Sequence, residues 1–283
     1  MTGQSLNILD RIHDLYYHLT ATEQRVADYV LNNSAEVQFM SITQLADECG
    51  TADATVSRFC KKLQLKGFNA FKIELAKHTA LQKGRSVSHP EEGSLKSRCQ
   101  AAVHDAKKAL EQTMELVDPD AVAQAVTCFE QAAHIICLGS GASAILATEM
   151  AHLFSGVSLK FRAVMDSHQQ TVAVVSLNPG DAVVLFSYSG ATTDGQQLLQ
   201  LARSRGVKTI LITRYSKSPA ARMADLVLRC GSNEGPLQGG SVPARMAQLV
   251  LMDMLFREFY HRNQEACDEK MRLAASSLSS KHI

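Results

Sequence analysis

Asp181-Ala-Val-Val-Leu-Phe-Ser-Tyr-Ser-Gly-Ala-Thr-Thr193 changes character at its middle. Residues 182–186 are a short, continuous apolar run rich in Val. The turn residues Asn178, Pro179 and Gly180 stand just before it, which predicts a strand buried on both faces. Residues 187–193 then place four small hydroxyls and one glycine in seven positions. From 196 to 205, Leu198, Leu199 and Leu201 predict a helix. A hydroxyl-rich loop between a buried strand and a helix N-terminus suits an anion. The helix offers free N–H groups and a partial positive charge, the glycine permits close approach, and the hydroxyls donate further bonds. Phosphate is the expected occupant. A single hydroxyl would be enough to cap the helix; four of them point beyond capping.

Outward from this stretch the same alternation continues. His134-Ile-Ile-Cys-Leu-Gly-Ser-Gly-Ala-Ser143 reads as an apolar strand entering a glycine loop, with a helix over 144–154. Further strands are predicted at 160–164, 209–213 and 226–228, and further helices at 196–205 and 219–223. Such alternation implies an α/β unit, a parallel sheet covered by helices in the flavodoxin or Rossmann manner, with ligands at the strand C-terminal ends. Gly139, Gly141 and Ala144 also satisfy the dinucleotide pattern G-x-G-x-x-G/A, and Asp166 lies after the next strand, near where a ribose-binding acid would be sought. Yet Ser140 and Ser143 add a second set of hydroxyls. Two serine-bearing loops in one sheet suit a compact phosphorylated ligand better than a long dinucleotide.

The N-terminal part is of another kind. Apolar residues recur with helical period from Leu6 to Leu19, and Thr20 with Glu23 forms a capping-box signature for a second helix. Ser41 caps a short helix over 42–48. Gly50 ends it, and Thr51 stands as the next N-cap before a helix over 52–63 that buries Val56, Phe59, Cys60 and Leu63. Two short helices joined through a glycine turn predict a helix-turn-helix. Charge is segregated across it: residues 1–53 hold two arginines against eight carboxylates, whereas residues 54–85 hold eight cations against Glu74 alone. A basic face for a polyanion follows. On it, Thr51, Thr55 and Ser57 can reach base edges or phosphate, Arg58 suits bidentate contact to guanine or phosphate, and Lys61 and Lys62 suit phosphates.

The run Ser41-Ile-Thr-Gln-Leu-Ala-Asp-Glu-Cys-Gly-Thr-Ala-Asp-Ala-Thr-Val-Ser-Arg-Phe-Cys-Lys-Lys-Leu63, followed by Lys66-Gly-Phe-Asn-Ala-Phe-Lys72, closely resembles the N-terminal domain of RpiR-type bacterial regulators. That family places Ala-Thr-Val-x-Arg-Phe on its recognition helix, matched here by residues 54–59. Thr51 stands where serine is more usual. The glycine and hydroxyl loops at 139–143 and 187–192, with a strand ending Ile212-Thr213, resemble the sugar isomerase (SIS) domain. A helix-turn-helix joined to such a domain is the RpiR architecture, and the resemblance covers nearly the whole chain.

The resemblance implies a DNA-binding regulator controlled by a sugar phosphate. Ser187, Ser189 and Thr192, with the N–H of Gly190, are the implied phosphate ligands. Ser140 and Ser143 sit on the sugar or the far side of the phosphate. In the run 232–245, Glu234 and Ser241 are candidates at the pocket mouth. The domains divide at 1–80 (helix-turn-helix about 41–60), a polar linker at 81–95, and an SIS domain at 96–283 with its core about 125–265.

The remaining features narrow the class. The seven scattered cysteines contain no C-x-x-C pair, which fits reduced thiols in the cytosol, and no metal or cofactor is expected. No apolar run reaches membrane-spanning length, and no signal-peptide pattern opens the chain. A wide apolar stripe over 244–273 serves both core and subunit packing, as in a homodimer or homotetramer. An isomerase would need an acid–base pair, and His168, Glu149 and Glu234 are available. No two of them have a diagnostic spacing. The chain reads as a regulator, not an enzyme.

Overall fold

The computed structural model describes residues 7–86, 94–232, 234 and 239–279. It divides into two compact units, residues 1–104 with 233–241, and residues 105–232 with 242–283. Of the polar stretch expected as a linker, 81–95, residues 87–93 lie outside the described residues.

The N-terminal unit is helical: α1 (Ile8–Leu15), α2 (Ala21–Asn32), a single turn α3 (Ser34–Val37), α4 (Ile42–Glu48), α5 (Asp53–Lys62) and α6 (Phe68–Ser86). Two of the three predicted caps form. Thr20 accepts from the Glu23 N–H while the Glu23 carboxylate takes the Thr20 N–H, and Ser41 and Gln44 do the same at α4. Thr51, expected to cap the next helix, does not: Ala52 occupies the N-cap without a side-chain bond. The start of α5 is held instead by Thr43, whose Oγ1 donates to Asp53 Oδ2 at 3.0 Å. The core joins Val26, Val30, Leu45, Val56, Phe59, Leu63 and Phe71. Phe71 packs edge-on to Phe59 and lies along Phe68, and the Lys72 ammonium sits 5.6 Å from the centre of the Phe68 ring. The Gly-Phe-x-x-Phe-Lys segment thus buttresses α5 from behind.

The second unit opens with α7 (Leu95–Leu116, of which 95–104 belong to the first) and α8 (Pro119–Gln131), then winds a sheet. Strands β1 (Ile135–Gly139), β2 (Phe161–Ala163), β3 (Ala182–Phe186), β4 (Lys208–Thr213) and β5 (Leu226–Arg229) are all parallel, in the order β2-β1-β3-β4-β5. Between them run α9 (Ala142–Ser155), α10 (Ser167–Val175) and α11 (Thr193–Ser204), and α12 (Val242–Arg262) and α13 (Gln264–Leu278) close the chain. Side chains alternate across the sheet. Ile135, Cys137, Val184, Phe186 and Ile212 face a core shared with α8, α9 and α12, while Leu138, Val183, Leu185 and Leu211 face one shared with α10 and α11. Strands covered on both sides must read as unbroken apolar runs, and β1 and β3 are buried at every residue.

One expectation needs correction. Residues 219–223 form successive turns, not a helix; the Ala220 N–H is spent on the Gly190 carbonyl, a tertiary bond that competes with helical pairing. The stripe over 244–273 is two helices, broken at Asn263, whose amide turns to the Glu130 carboxylate. Asp166 is the N-cap of α10, accepting from the Gln169 N–H at 2.9 Å. Its carboxylate therefore has a structural occupation that a ribose-binding acid would not have.

Candidate functional site

The strand order reverses between β1 and β3: from β1 the chain passes to β2 on one side, and β3 begins the run on the other. The crevice beyond the C-terminal ends of these two strands is the favoured ligand position in such sheets. Gly139 and Phe186 are register partners, so the Ser140 and Ser187 loops leave neighbouring strands at the same level, about 4.8 Å apart by strand spacing.

The start of β3 is anchored by Asp181. Its buried carboxylate accepts from the N–H groups of His134 and Asn178 and from the His134 ring. Burial opposes the charge, but these bonds outweigh it and hold the carboxyl below the ordinary Asp range. Asp181 thus serves the fold at the start of β3.

Beyond the other end of β3, Ser187 is 5% exposed, and its hydroxyl is buried without a hydrogen-bond partner among the described residues. Buried hydroxyls are rarely left so. The neighbouring α11 begins without a side-chain cap: Thr192 is at the N-cap, exposed, with its hydroxyl unused for capping. The capping role that sequence alone allowed for Thr192 is not the one it fills. Ser189 is half-buried and its Oγ accepts the Ala191 N–H at 3.2 Å. Gly190 has φ +59°, and a Cβ there would collide with the Ser218 side chain. Its N–H, expected on the ligand, donates to the Ser187 carbonyl inside the turn at 3.1 Å. The open donors are therefore the hydroxyls and the first-turn amides of α11. Across the crevice, Gly141 (φ +58°) starts α9, also without a side-chain cap, with Ser140 exposed and Ser143 half-buried.

Sequence reasoning missed α10 and what it does. Gln170, 1% exposed, donates from Nε2 to the carbonyls of Gly139 and Val164, fixing the Ser140 loop to the end of β2. Between α10 and α11 lies a cavity of about 290 Å³ lined by Ser167, His168, Gln170, Thr171, Asp194 and Gln197 with two leucines. His168 faces this cavity, whereas Glu149 is exposed on α9; no hydrogen bond or ion pair joins them among the described residues.

Glu234 and Ser241 fall in the segment that groups with the N-terminal unit. The Glu234 carboxylate accepts the N–H groups of Gly240 and Ser241. Burial raises its pKa, opposed by those bonds and by the charge of Lys72. Lys72, which donates to the Met40 carbonyl, is itself pushed down to about 8 by burial, with Glu234 acting against the shift.

On the helix-turn-helix, Arg58 and Lys61 are exposed on α5 and Ser57 is half-buried on the same helix. Thr55 is 5% exposed, and its Oγ1 accepts from Arg58 Nη2 at 3.1 Å. It therefore orients the guanidinium and has little surface to offer bases. The Thr51 hydroxyl is buried without a partner among the described residues. Lys62 ends on the protein: its ammonium bonds the Glu23 carboxylate at 2.7 Å and the His18 carbonyl at 3.1 Å. A helix-turn-helix unit with a cationic second helix, followed by a doubly wound unit with a hydroxyl-lined crevice, is the make-up of a transcriptional regulator.

The comparisons agree with that class. Residues 6–82 match the helix-turn-helix domain of the rpiR family, and residues 128–257 match the SIS domain. An uncharacterized HTH-type transcriptional regulator of Caldanaerobacter subterraneus subsp. tengcongensis is 32% identical over 88% of this chain and 89% of its own. The HTH-type transcriptional regulator HexR of Escherichia coli is 29% identical over 96% and 94%. Among solved structures, Vibrio vulnificus NanR complexed with ManNAc-6P superposes with a TM-score of 0.87 at 27% identity, covering 98% of this chain and 99% of that one. The chain belongs to the rpiR family of helix-turn-helix transcriptional regulators.

Proposed function

We propose that this protein is a cytoplasmic, non-enzymatic regulator, acting as a repressor, whose C-terminal unit binds a phosphosugar in the crevice between the Ser140 and Ser187 loops. The observation that carries this reading is the Ser187 hydroxyl, buried and without a partner among the described residues, beside the uncapped start of α11. A phosphate oxygen there would satisfy that hydroxyl, and Ser189, Thr192 and the α11 amides would take the others. Ser140 and Ser143 would close the opposite side, with the polar cavity of His168 and Asp194 next to the sugar end. The 27%-identical NanR holds ManNAc-6P, which supports a phosphosugar here without fixing which one.

DNA is met by α5, with Arg58 and Lys61 as the leading contacts and Ser57 between them. A homodimer or homotetramer would present two such helices to successive major grooves, about 34 Å apart. Effector binding changes DNA affinity to the extent that it favours one arrangement of the heads over another.

The deciding experiment is a thermal-shift screen of sugar phosphates, with ManNAc-6P and inorganic phosphate included. Saturation at about 100 times Kd adds about 2.7 kcal/mol to stability and raises the melting temperature by several degrees. Stabilisation by a few related sugar phosphates, absent from Ser187→Ala, is the expected result. Shifts from nicotinamide dinucleotides alone would overturn it.

A further inference from the structure

Between the Ser187 loop and α7 the structure strings a continuous set of hydrogen bonds through Gly231 and Ser232. The Tyr188 hydroxyl, which projects from the ligand loop itself, donates to the Ser232 carbonyl at 2.9 Å. Arg214 Nε, at the end of β4, donates to the same carbonyl at 2.9 Å. On its other side Ser232 donates its N–H to Gln112 Oε1 at 3.0 Å, and the Gly231 N–H goes to Thr113 Oγ1 at 2.9 Å. Gln112 and Thr113 belong to α7, and the fully buried Thr113 passes its own proton to the Ala109 carbonyl at 2.7 Å.

The geometry leaves no slack. A Cβ on Gly231 would lie 2.5 Å from both the Ala109 carbonyl oxygen and the Thr113 nitrogen, so only glycine lets the strand end come this close to α7. Ser232 has φ +85°, a backbone state that a non-glycine residue adopts only when its surroundings hold it there. The Tyr188 backbone is equally tied, its carbonyl accepting from the Thr213 hydroxyl and the Arg214 N–H.

The position of this network in the chain gives it a purpose. The chain crosses between the units at three points: between residues 104 and 105 on α7, between 232 and 233, and between 241 and 242. Ser232 is the residue at the second point, and Gln112 is two turns along α7 from the first. One hydroxyl, on the residue between Ser187 and Ser189, reaches the second of these points directly and α7 near the first through Ser232.

We propose that Tyr188 and Gln112 are positioning residues that transmit occupancy of the hydroxyl loop to α7 and to the segment after Ser232, and so to the DNA-binding unit. Filling the loop moves Tyr188. Its hydroxyl then shifts or releases the Ser232 carbonyl, and the bonds from Ser232 and Gly231 carry the change to Gln112 and Thr113. The proposal rests on the phosphosugar reading above.

The test uses full-length Tyr188→Phe and Gln112→Leu, with ManNAc-6P as ligand and a DNA fragment selected by the wild type from a random pool. Ligand affinity is read by calorimetry and DNA affinity by fluorescence anisotropy. Couplings of this kind change affinity roughly 5- to 150-fold. In both variants the ligand should bind within about threefold of wild type, while its effect on DNA affinity collapses towards unity. Gln112→Glu, which keeps an acceptor for the Ser232 N–H, should restore coupling that Gln112→Leu loses. Coupling as large as wild type in both Tyr188→Phe and Gln112→Leu overturns the relay alone. Loss of ligand binding in Tyr188→Phe also overturns it, by placing Tyr188 in the pocket. A wild type that takes none of the sugar phosphates in the thermal-shift screen, or takes one without any change in DNA affinity, brings down the phosphosugar reading together with the relay.

Discussion

Residues that look equivalent in sequence are given different work by burial. Lys61 and Lys62 stand side by side in a basic run, yet Lys61 points to solvent and Lys62 is paired with Glu23, whose side chain is 3% exposed. Lys62→Ala would leave the buried Glu23 carboxylate with its Thr20 bonds but no cation, a loss of about 1 kcal/mol for a pair half open to solvent, and should lower the urea midpoint of the N-terminal unit. Lys61→Ala should leave that midpoint unchanged and reduce the salt dependence of DNA binding by about one unit of slope. Equal effects of the two on stability would contradict the pairing. Asp181 makes the same point in the other unit. Asp181→Asn should cost about 2 kcal/mol, the scale of hydrogen bonds to a charged group. Because its folded pKa is depressed, the contribution of Asp181 is complete above the unfolded value near 3.9 and is lost as pH falls through the lower folded value. The variant's stability should therefore change less with pH across that acid window, measured by urea unfolding at successive pH values.

At the scale of elements, what depends on neighbouring residues was readable and what depends on tertiary partners was not. The capping boxes at Thr20 and Ser41 involve groups three positions apart, and β1 and β3 announce themselves as apolar runs, so each is written locally. The hydroxyl loop is local too, four small hydroxyls in seven residues. By contrast α10 is short, with Ser167, Gln169, Gln170 and Thr171 diluting its apolar face, and Gln170 shows its purpose only beside Gly139 and Val164. The turns at 219–223 carry helix-forming residues but answer to Gly190. Lys62 and Thr55 belong to a basic helix by spacing, and only packing removes them from its DNA face. Two element-level variants follow. Arg58→Ala should abolish retention of DNA in a gel shift with no change in melting temperature, since Arg58 is exposed. The double variant Ser189→Ala/Thr192→Ala should bind DNA as wild type and lose its response to a sugar phosphate; an intact response would place the phosphate elsewhere.

For the whole molecule the two units are linked by thermodynamics as well as by chain. If a phosphosugar changes DNA affinity by some factor, DNA must change phosphosugar affinity by the same factor in the same direction. Calorimetric titration of the ligand into free protein and into protein saturated with its DNA tests this without any mutation. With repression relieved by the ligand, DNA-bound protein should bind the ligand more weakly, by the ratio seen when the ligand weakens DNA binding. The equality holds for any route between the sites, so it tests the regulator reading and leaves the relay aside. The relay enters when the same square is measured in Tyr188→Phe. There both ratios should shrink together, since a residue that only positions must alter the coupling seen from either end. A change in one ratio with the other preserved would violate linkage, and would mean that the titrations had sampled different oligomeric states rather than one coupled equilibrium.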